Sequence, residues 1–436
     1  MEYLLTILYT ILFIVLLFRI PFFETLGLTR KYIAVFFVIK VFAGIVLSLI
    51  YTYYYTERNT ADIFKYFDDS KVMYDALLHK PIDFFKMLFG FHNDTAYFSH
   101  HYYDVMNNWY RPYEPNVYND NHTIIRFNAL LRLFSFGYYN VHTVFMCFLS
   151  TIGLVALYKT FFPYLKEKNK ELAIVLFLMP SVLFWGSGVL KEGLLIFGLG
   201  LVLLCFTRLV NSKFNVKNLI GIVLGLLILA YMKYYILTIL IPLIVAYIIV
   251  AKTSIRFAFL KYLAVIVLFF GILLNIHFIF PQYNVLEMLS QKQNSFVYLA
   301  ESLNSGSLID HHLLMPTFSD FIIKIPNALF TVFFRPFIFE VNSPFILLAA
   351  FENLLFLMLL IFSLFFLKIN KENYNILFFC IFFVLITFVL TGLTTPVLGA
   401  IVRYKVPALP FLAILFLLLI DKEKMLKKLK LLNYLK

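Results

Sequence analysis

Long runs of apolar residues alternate with short polar segments along almost the whole chain. A helix needs about 17–25 mostly apolar residues to cross a hydrocarbon layer of ~30 Å, and most of these runs approach that length. We place spans at 3–18, 32–51, 139–158, 172–188, 190–207, 219–232, 236–251, 262–280, 343–367, 375–393 and 402–420. The pattern predicts an all-α polytopic membrane protein with about 11 transmembrane helices, which form a single transmembrane domain over residues 1–436.

The composition supports a membrane protein over a soluble one. Of the 436 residues, 62% are hydrophobic and only 14% are charged, whereas a soluble domain has about 25% charged residues. The three cysteines lie inside apolar runs and show no metal-ligand spacing or disulfide framework. The first run is preceded by Glu2 and lacks the basic start of a cleaved signal peptide, so we expect it to be retained as a span.

The net charge of +13 is explained as a signal of the orientation in the membrane. With the N-terminus outside and the C-terminus cytoplasmic, the inner loops and the tail after residue 420 hold a clear excess of lysine and arginine over acids. The tail lysines then face anionic lipid headgroups, and no nucleic-acid partner is predicted. The bias toward Phe, Tyr, Ile, Lys and Asn is typical of an AT-rich bacterial genome, so we expect a multi-pass protein of the bacterial inner (cytoplasmic) membrane.

Two long loops, 52–128 and 281–342, fall on the predicted outer side. In the first, helical spacing of apolar residues over 68–90, interrupted by Pro81, predicts two short helices on the membrane surface. The following stretch, 92–122, is rich in Asn, Tyr, Asp and Pro and predicts irregular loop. The second loop has amphipathic pieces, and we expect 321–334 to dip into the membrane.

The first candidate site is a group of acids about ten residues after the second span. Asp62, Tyr66 and Asp69 are spaced i, i+4 and i+7 and share one face of a helix, and Asp68 is adjacent. A carboxylate held just above the bilayer can act as a general base on a hydroxyl group. The alternative interpretation is a solvated loop with acids at a helix start.

The second candidate site is the hairpin 180–192, which contains Trp185, Lys191 and Glu192. Two charges in an apolar hairpin are costly and usually functional. Lys191 at the start of a helix is placed to meet a phosphate. The alternative is a local Lys191–Glu192 turn that marks the membrane interface.

Two further groups combine basic residues with acids near predicted outer span ends. Arg335 and Glu340 close the second loop, and Glu352 lies inside the following span. Arg403 and Lys405 lie at the start of the last span, where they could bind a phosphate or pyrophosphate. The alternative for these basic residues is anchoring to lipid headgroups.

The histidines give no support for a metal site. They are paired at His100-His101 and at His311-His312, without the i, i+4 spacing of a helical zinc site. We therefore predict no metal ligand set and no certain cofactor, and leave a requirement for a divalent cation open.

The layout resembles that of GT-C glycosyltransferases, multispanning enzymes that take sugars from polyprenyl-linked donors on the outer membrane face. A span followed by an acidic first outer loop with surface helices, six more spans and a second long outer loop carries the resemblance. The stretches Trp185-Gly-Ser-Gly-x-x-Lys191-Glu192 and Arg403-Tyr-Lys405-x-Pro-x-x-Pro410 also look like ones in bacterial polysaccharide-pathway proteins. The first span is extra relative to this layout.

The resemblance implies an inverting transfer of a sugar to a glycan, lipid or protein acceptor. Asp62, or else Asp69 or Asp68, would deprotonate the acceptor hydroxyl. Lys191, Arg335, Arg403 and Lys405 would bind the donor phosphate. A further set would bind or support the substrates: Tyr66, Trp185, Glu192, Glu340 and Glu352.

Three other functions stay open. An oligosaccharide polymerase or ligase also has outer-loop arginines, although such proteins generally rely on one dominant loop in the C-terminal half. A transporter or flippase for a lipid-linked sugar would favour inverted repeats and interrupted helices with charges at the midplane. A non-catalytic assembly subunit would need no phosphate-sized basic sites.

Overall fold

The computed structural model describes residues 1–110, 118–211, 214–302, 305–309 and 313–434, with side chains up to residue 428. In this part of the chain the regular structure is helical, apart from two isolated bridges. The helices are α1 Glu2–Arg19, α2 Arg30–Tyr53, α3 Asp62–His79, α4 Pro81–Phe89, α5 Ala96–His101, α6 Asn121–Ser135, α7 Tyr139–Phe161, α8 Asn169–Phe177, α9 Pro180–Trp185, α10 Lys191–Asn211, α11 Val216–Lys252, α12 Ala258–Asn275, α13 Val285–Ser302, α14 Phe318–Phe334, α15 Pro344–Phe365, α16 Tyr374–Thr394, α17 Leu398–Tyr404, α18 Leu409–Leu419 and α19 Lys422–Tyr434.

Among the described residues, eight helices are long and apolar enough to cross a membrane. They are α1, α2, α7, α10, α11, α12, α15 and α16, and the bent pair α17–α18 would make a ninth. This all-helical architecture is compatible with the predicted polytopic membrane protein. The count of 11 and the orientation stay predictions.

Four predicted spans differ from the simple helices that hydropathy suggests. The run 172–188 is two short helices, α8 and α9, because Pro180 starts a new helix where its missing N–H costs nothing. The runs 219–232 and 236–251 form one element, α11, interrupted at Lys233 by non-helical backbone angles. The run 402–420 contains the end of α17 and all of α18, and these two helices meet at an angle of 65°.

The chain divides into two compact units. Unit 1 contains Met1–Thr160 and Val182–Tyr234, and unit 2 contains Phe161–Ser181 and Tyr235–Lys436. The two units are described separately below, and the single transmembrane domain stays a prediction.

In unit 1 the first long loop forms a helical layer. α3 packs against α4 and α6, and α1 packs against α2. The predicted pair of surface helices corresponds to α3 and α4, although α3 begins earlier, at Asp62. The stretch predicted as irregular contains α5 and ends where α6 begins. Hydropathy missed α6 because polar residues such as Arg126, Asn128 and Arg132 lower its apolar average.

Glycines set the spacing of the spanning helices in unit 1. A side chain on Gly200 of α10 would collide with the backbone carbonyl of Gly153 on α7. Small residues at such crossings let two helix backbones come into direct contact, which drives helix association where no hydrophobic force acts. The α7–α10 contact fixes the position of α10, whose first residue is Lys191.

Unit 2 is organised around α16. α14, α12, α13 and α18 pack against it, and α15 packs against α18. α14 lies directly on α16, because Gly392 contacts the backbone of Ala328. The expectation that 321–334 dips into the membrane stays a prediction. A further apolar cluster, including Leu314 and Leu393, joins the second long loop to the end of α16.

Candidate functional site

A charged cluster of low exposure in unit 1 is built around Asp120, which immediately precedes α6. Its Oδ2 atom lies 2.8 Å from Nζ of Lys191 and 3.5 Å from Nζ of Lys233. The side chains of Lys191, Asp120 and Lys233 are 2%, 9% and 12% exposed. Two ammonium groups therefore converge on one carboxylate oxygen in a poorly solvated position.

Asn121 connects this cluster to the predicted acidic helix. Its side-chain oxygen accepts hydrogen bonds from Lys191, at 2.6 Å, and from the hydroxyl of Tyr66, at 3.2 Å. The Lys191 ammonium also lies 5.3 Å from the centre of the Tyr66 ring. The structure thus brings together Lys191 and Tyr66, two residues singled out from the sequence. We call Tyr66, Asp120, Asn121, Lys191 and Lys233 the dilysine cluster.

The dilysine cluster includes three residues that the sequence analysis missed. Lys233 is a single charge within a long apolar stretch, which is an available signal that an intramembrane cation has a role. Asp120 and Asn121 lie in the polar stretch 92–122, which predicts irregular loop. An Asp just before a helix is a recognisable start signal, but its contact with α10 and α11 depends on tertiary structure.

The three acids of α3 have different surroundings. Asp62 is the first residue of the helix, is partly exposed and has interactions of its own. It lies one turn before Tyr66, about 6 Å along the helix axis. Asp68 forms a bidentate pair with Arg58, with bonds of 2.8 and 2.7 Å.

Asp69 acts as an anchor for the first long loop. It is buried, and its two oxygens accept the backbone N–H groups of Asn107 and Asn108, each at 2.8 Å. Burial raises the pKa of Asp69 above its ordinary value, although these two hydrogen bonds oppose the rise. Both oxygens are thus engaged by the backbone, which favours Asp62 over Asp69 as a base for a substrate.

Arg132 of α6 fixes the position of α3. Its guanidinium donates to Oγ of Ser70 at 2.8 Å and to the carbonyl of Phe67 at 2.6 Å, and it covers the Phe67 ring. Burial lowers the pKa of Arg132 to about 10, so the group remains a cation at neutral pH. The helix that presents Asp62 and Tyr66 is therefore held by a buried charge.

Hydrogen bonds link Ser135, His142 and Asn128 in the order of a nucleophile, a base and an orienting group. Oγ of Ser135 lies 2.7 Å from Nε2 of His142, and Nδ1 of His142 lies 2.8 Å from Oδ1 of Asn128. All three residues are fully buried, so a substrate cannot reach the serine. We assign this chain to the packing of α6 on α7.

The remaining members of the predicted hairpin site are also buried. Trp185 ends α9, and Glu192 follows Lys191 in the first turn of α10. Gly44 of α2 lies so close to Ser187 that a side chain there would collide with its backbone. The hairpin is thus packed against α2, and the structure does not support a simple exposed Lys191–Glu192 turn.

The predicted site residues of unit 2 form a separate polar cluster. Nζ of Lys405, between α17 and α18, donates to Oδ1 of Asn353 at 2.7 Å and to the carbonyl of Val332 at 3.4 Å. Oε2 of the neighbouring Glu352 accepts the N–H of Ser181 at 2.6 Å. Lys405 and Glu352 are 1% and 2% exposed, so Lys405 is a buried structural donor and is not available to lipid headgroups.

Arg335 and Glu340 form an ion pair at the end of α14. Nε of Arg335 lies 2.7 Å from Oε1 of Glu340, and the N–H of Phe337 donates to Oε2 at 2.8 Å. Although partial burial opposes it, these hydrogen bonds lower the pKa of Glu340 below its ordinary value. Arg403 is half-buried at the end of α17.

Asp62, Tyr66, Trp185, Lys191 and Glu192 belong to unit 1, whereas Arg335, Glu340, Glu352, Arg403 and Lys405 belong to unit 2. The expectation that they share one site stays a prediction. Among the described residues, no group of three or more His, Cys, Asp or Glu side chains is arranged to hold a metal ion. His311 and His312 lie outside the described residues.

Comparison with known proteins does not extend this description. No family model, no curated protein and no solved structure matches the chain.

Proposed function

We propose that the protein is an integral membrane glycosyltransferase that moves a sugar from a polyprenyl-(pyro)phosphate donor to an acceptor on the extracytoplasmic face. The observation that carries the proposal is the dilysine cluster. It places the Lys191 ammonium against Tyr66 of the helix that begins with Asp62, and the Lys233 ammonium on the same Asp120 carboxylate as Lys191. A phosphate leaving group and an acceptor hydroxyl require this combination, a cationic site beside a carboxylate.

In this mechanism Asp62 accepts the proton of the acceptor hydroxyl. The hydroxyl oxygen forms a bond to the anomeric carbon of the donor sugar while the bond from that carbon to the phosphate oxygen breaks. The electron pair of the broken bond passes to the phosphate, and configuration at the anomeric carbon inverts. Because a phosphate leaves as a stabilised anion, no general acid is needed, in contrast to glycoside hydrolysis.

The two lysines have different roles in the proposal. Lys191 is the more deeply buried and is bonded to Asp120 and Asn121, so it holds the cluster together. Lys233 is farther from Asp120 and more exposed, and it lies at the break in α11. We therefore assign the phosphate contact mainly to Lys233, with Lys191 supplying a fixed positive charge.

The proposal is tested by transfer assays on protein in native membranes. Radiolabelled polyprenyl-phosphate sugars, offered as a panel of glucose, galactose, mannose and N-acetylglucosamine donors, are incubated with envelope fractions as acceptor. Asp62→Asn should reduce the release of polyprenyl phosphate by about 10²–10⁴-fold. Asp75→Asn, on the same helix but paired with Lys71 on its exposed side, is the matched control and should retain activity.

Normal transfer by Asp62→Asn would remove the assignment of the base. Absence of transfer from every donor by the unmodified protein, at normal expression, would argue against the enzyme itself.

One observation favours a second candidate, a transporter of lipid-linked sugars. Helix breaks coincide with lysines of low exposure, at Lys233 in α11 and at Lys405 between α17 and α18. Interrupted helices with polar groups are typical of transporter binding sites. Movement of an unchanged fluorescent polyprenyl-phosphate sugar across proteoliposomes would favour this function, and its chemical conversion would favour the transferase.

A further inference from the structure

Unit 2 contains a small polar cavity in the region of the second long loop. It has a volume of about 70 Å³ and lies among α13, α14 and the end of α16. A single water needs about 10–15 Å³ by this kind of measure, so the cavity has room for roughly five waters. This is space for one small polar molecule or one residue of a larger one.

The walls of the cavity are held rigidly by hydrogen bonds. Oε1 of Gln293 accepts the N–H of Leu314 at 3.0 Å, and Oγ of Ser290 donates to the Leu314 carbonyl. These bonds attach the segment before α14 to α13. A pocket with fixed walls loses little entropy when a ligand binds, which is the condition for specific recognition.

The polar lining of the cavity carries no unbalanced charge. Lys324, the charged residue in the lining, pairs with Asp320 at 2.8 Å and donates to the carbonyl of Leu313 at 2.8 Å. The other polar lining groups are Gln293, Asn327 and Thr331, which are amides and a hydroxyl. This lining suits a neutral ligand with several hydroxyl groups better than a phosphate.

Asn327 gives the cavity an available recognition group. It is exposed and lines the cavity, and its side-chain amide carries both a carbonyl acceptor and an amino donor. One turn along α14, Thr331 lines the same cavity and is almost fully buried. The pair would provide donors and acceptors on one edge of a ligand.

The floor of the cavity is apolar. It includes Ala328, Gly392 and Leu393, at the point where α14 lies on α16. A pyranose ring has an apolar face of C–H groups and a rim of hydroxyls, so it matches a floor and rim of this kind. An acyl chain would match the floor but would leave the amides and the hydroxyl without partners.

We infer that this cavity is a binding site for one neutral monosaccharide unit, with Asn327 and Thr331 as its recognition residues. The inference rests on the proposed function, because it assigns the cavity to a sugar of the donor or the acceptor. It names a position in the chain that the sequence analysis did not identify as a site.

The experiment measures sugar binding directly, without catalysis. Full-length protein in lipid nanodiscs is titrated with free glucose, galactose, mannose and N-acetylglucosamine, and saturation-transfer NMR reports the dissociation constant of each. For the sugar that binds, Asn327→Ala and Thr331→Val should each weaken binding about 3- to 10-fold, the usual effect of losing one hydrogen bond. Ser319→Ala, an exposed change outside the lining on the same helix, should leave binding unchanged.

Failure of this inference is distinguishable from failure of the proposed function. If Asp62→Asn abolishes transfer but the two cavity variants change neither sugar binding nor the KM for donor or acceptor, the cavity assignment is wrong and the enzyme remains. If a sugar binds and the cavity variants weaken it, but no donor supports transfer, the cavity stands and the transferase is wrong. No binding by any of the four sugars overturns the inference.

Discussion

The ammonium group of Lys191 lies 2.8 Å from Oδ2 of Asp120, with both side chains almost removed from solvent. The two residues are 71 positions apart in the sequence. Asp120 immediately precedes α6, and Lys191 is the first residue of α10. Removing two charges from water is costly and is offset only by close pairing and further hydrogen bonds. Asn121 supplies such a bond to Lys191.

Asp120→Ala should destabilise the protein strongly, because it leaves Lys191 buried next to Lys233 without this carboxylate. Breaking a buried ion pair from one side typically costs about 3–5 kcal/mol. Thermal unfolding in detergent should show a clear fall in Tm. The double variant Asp120→Ala with Lys191→Met should recover part of that loss, and a double variant less stable than Asp120→Ala would contradict the pairing.

Lys233→Met should weaken binding of polyprenyl phosphate while leaving the fold intact, because Lys233 is the more exposed cation of the cluster. We expect a rise of about 10-fold or more in the dissociation constant, as for a lost hydrogen bond to a charged group. Binding is measured by tryptophan fluorescence or scintillation proximity with the radiolabelled lipid. Lys217→Met, an exposed lysine at the start of α11, is the control; equal effects in the two variants would indicate nonspecific attraction.

Asp69→Ala should loosen the first long loop. Its carboxylate is the acceptor for the backbone N–H groups of Asn107 and Asn108, which would lose their partner. Limited proteolysis near residues 105–110 should become faster, and the cost of leaving buried N–H groups without a partner is about 1–3 kcal/mol each. Asp69→Asn should be milder because its amide oxygen still accepts. If Asp69→Asn lost all transfer with an intact loop, Asp69 would replace Asp62 as the base.

Gly200→Leu should disrupt the packing of α10 on α7. Any side chain at position 200 collides with the backbone at Gly153, and backbone cannot move aside as a flexible side chain can. Overpacking typically costs about 1–3 kcal/mol, and more where backbone is involved. The measurement is the yield of monodisperse protein and its Tm. Gly271→Leu on α12 is the control, because a Cβ there meets no other atom, and it should be tolerated.

The Arg335–Glu340 turn should weaken in acid. Because the pKa of Glu340 is lowered in the folded protein, its contribution to stability is present above the ordinary value of 4.5 and is lost as the pH falls through the folded value. Hydrogen exchange protection of the Phe337 amide, which donates to Glu340, should decrease below pH 4.5. Glu340→Gln should show reduced protection at neutral pH and little further change on acidification; unchanged protection in that variant would exclude the contact.

Hydropathy predicted most of the helices that are long and apolar enough to cross a membrane. Runs such as 32–51 and 375–393 are long enough that only a helix can satisfy their backbone in a membrane, and α2 and α16 contain these two ranges. The sequence also predicts that Asp62, Tyr66 and Asp69 share a helical face, because this depends on local spacing alone. The position of Lys191 in an apolar hairpin, which is costly for a charge, predicts that it binds a phosphate.

The tertiary structure alone decided which polar groups meet. Asp120 and Lys233 are isolated charges in the sequence, and their common contact requires α6, α10 and α11 to pack in one arrangement. The break at Lys233 falls between two runs that the sequence predicts as separate spans. The break between α17 and α18 falls inside one predicted run, because an apolar average does not register backbone angles. The sequence by itself predicted an all-helical architecture compatible with a membrane protein, because long apolar runs can satisfy their backbone polar groups in a bilayer as helices. The dilysine cluster and the cavity at Asn327, in contrast, arise from long-range packing that no local pattern records.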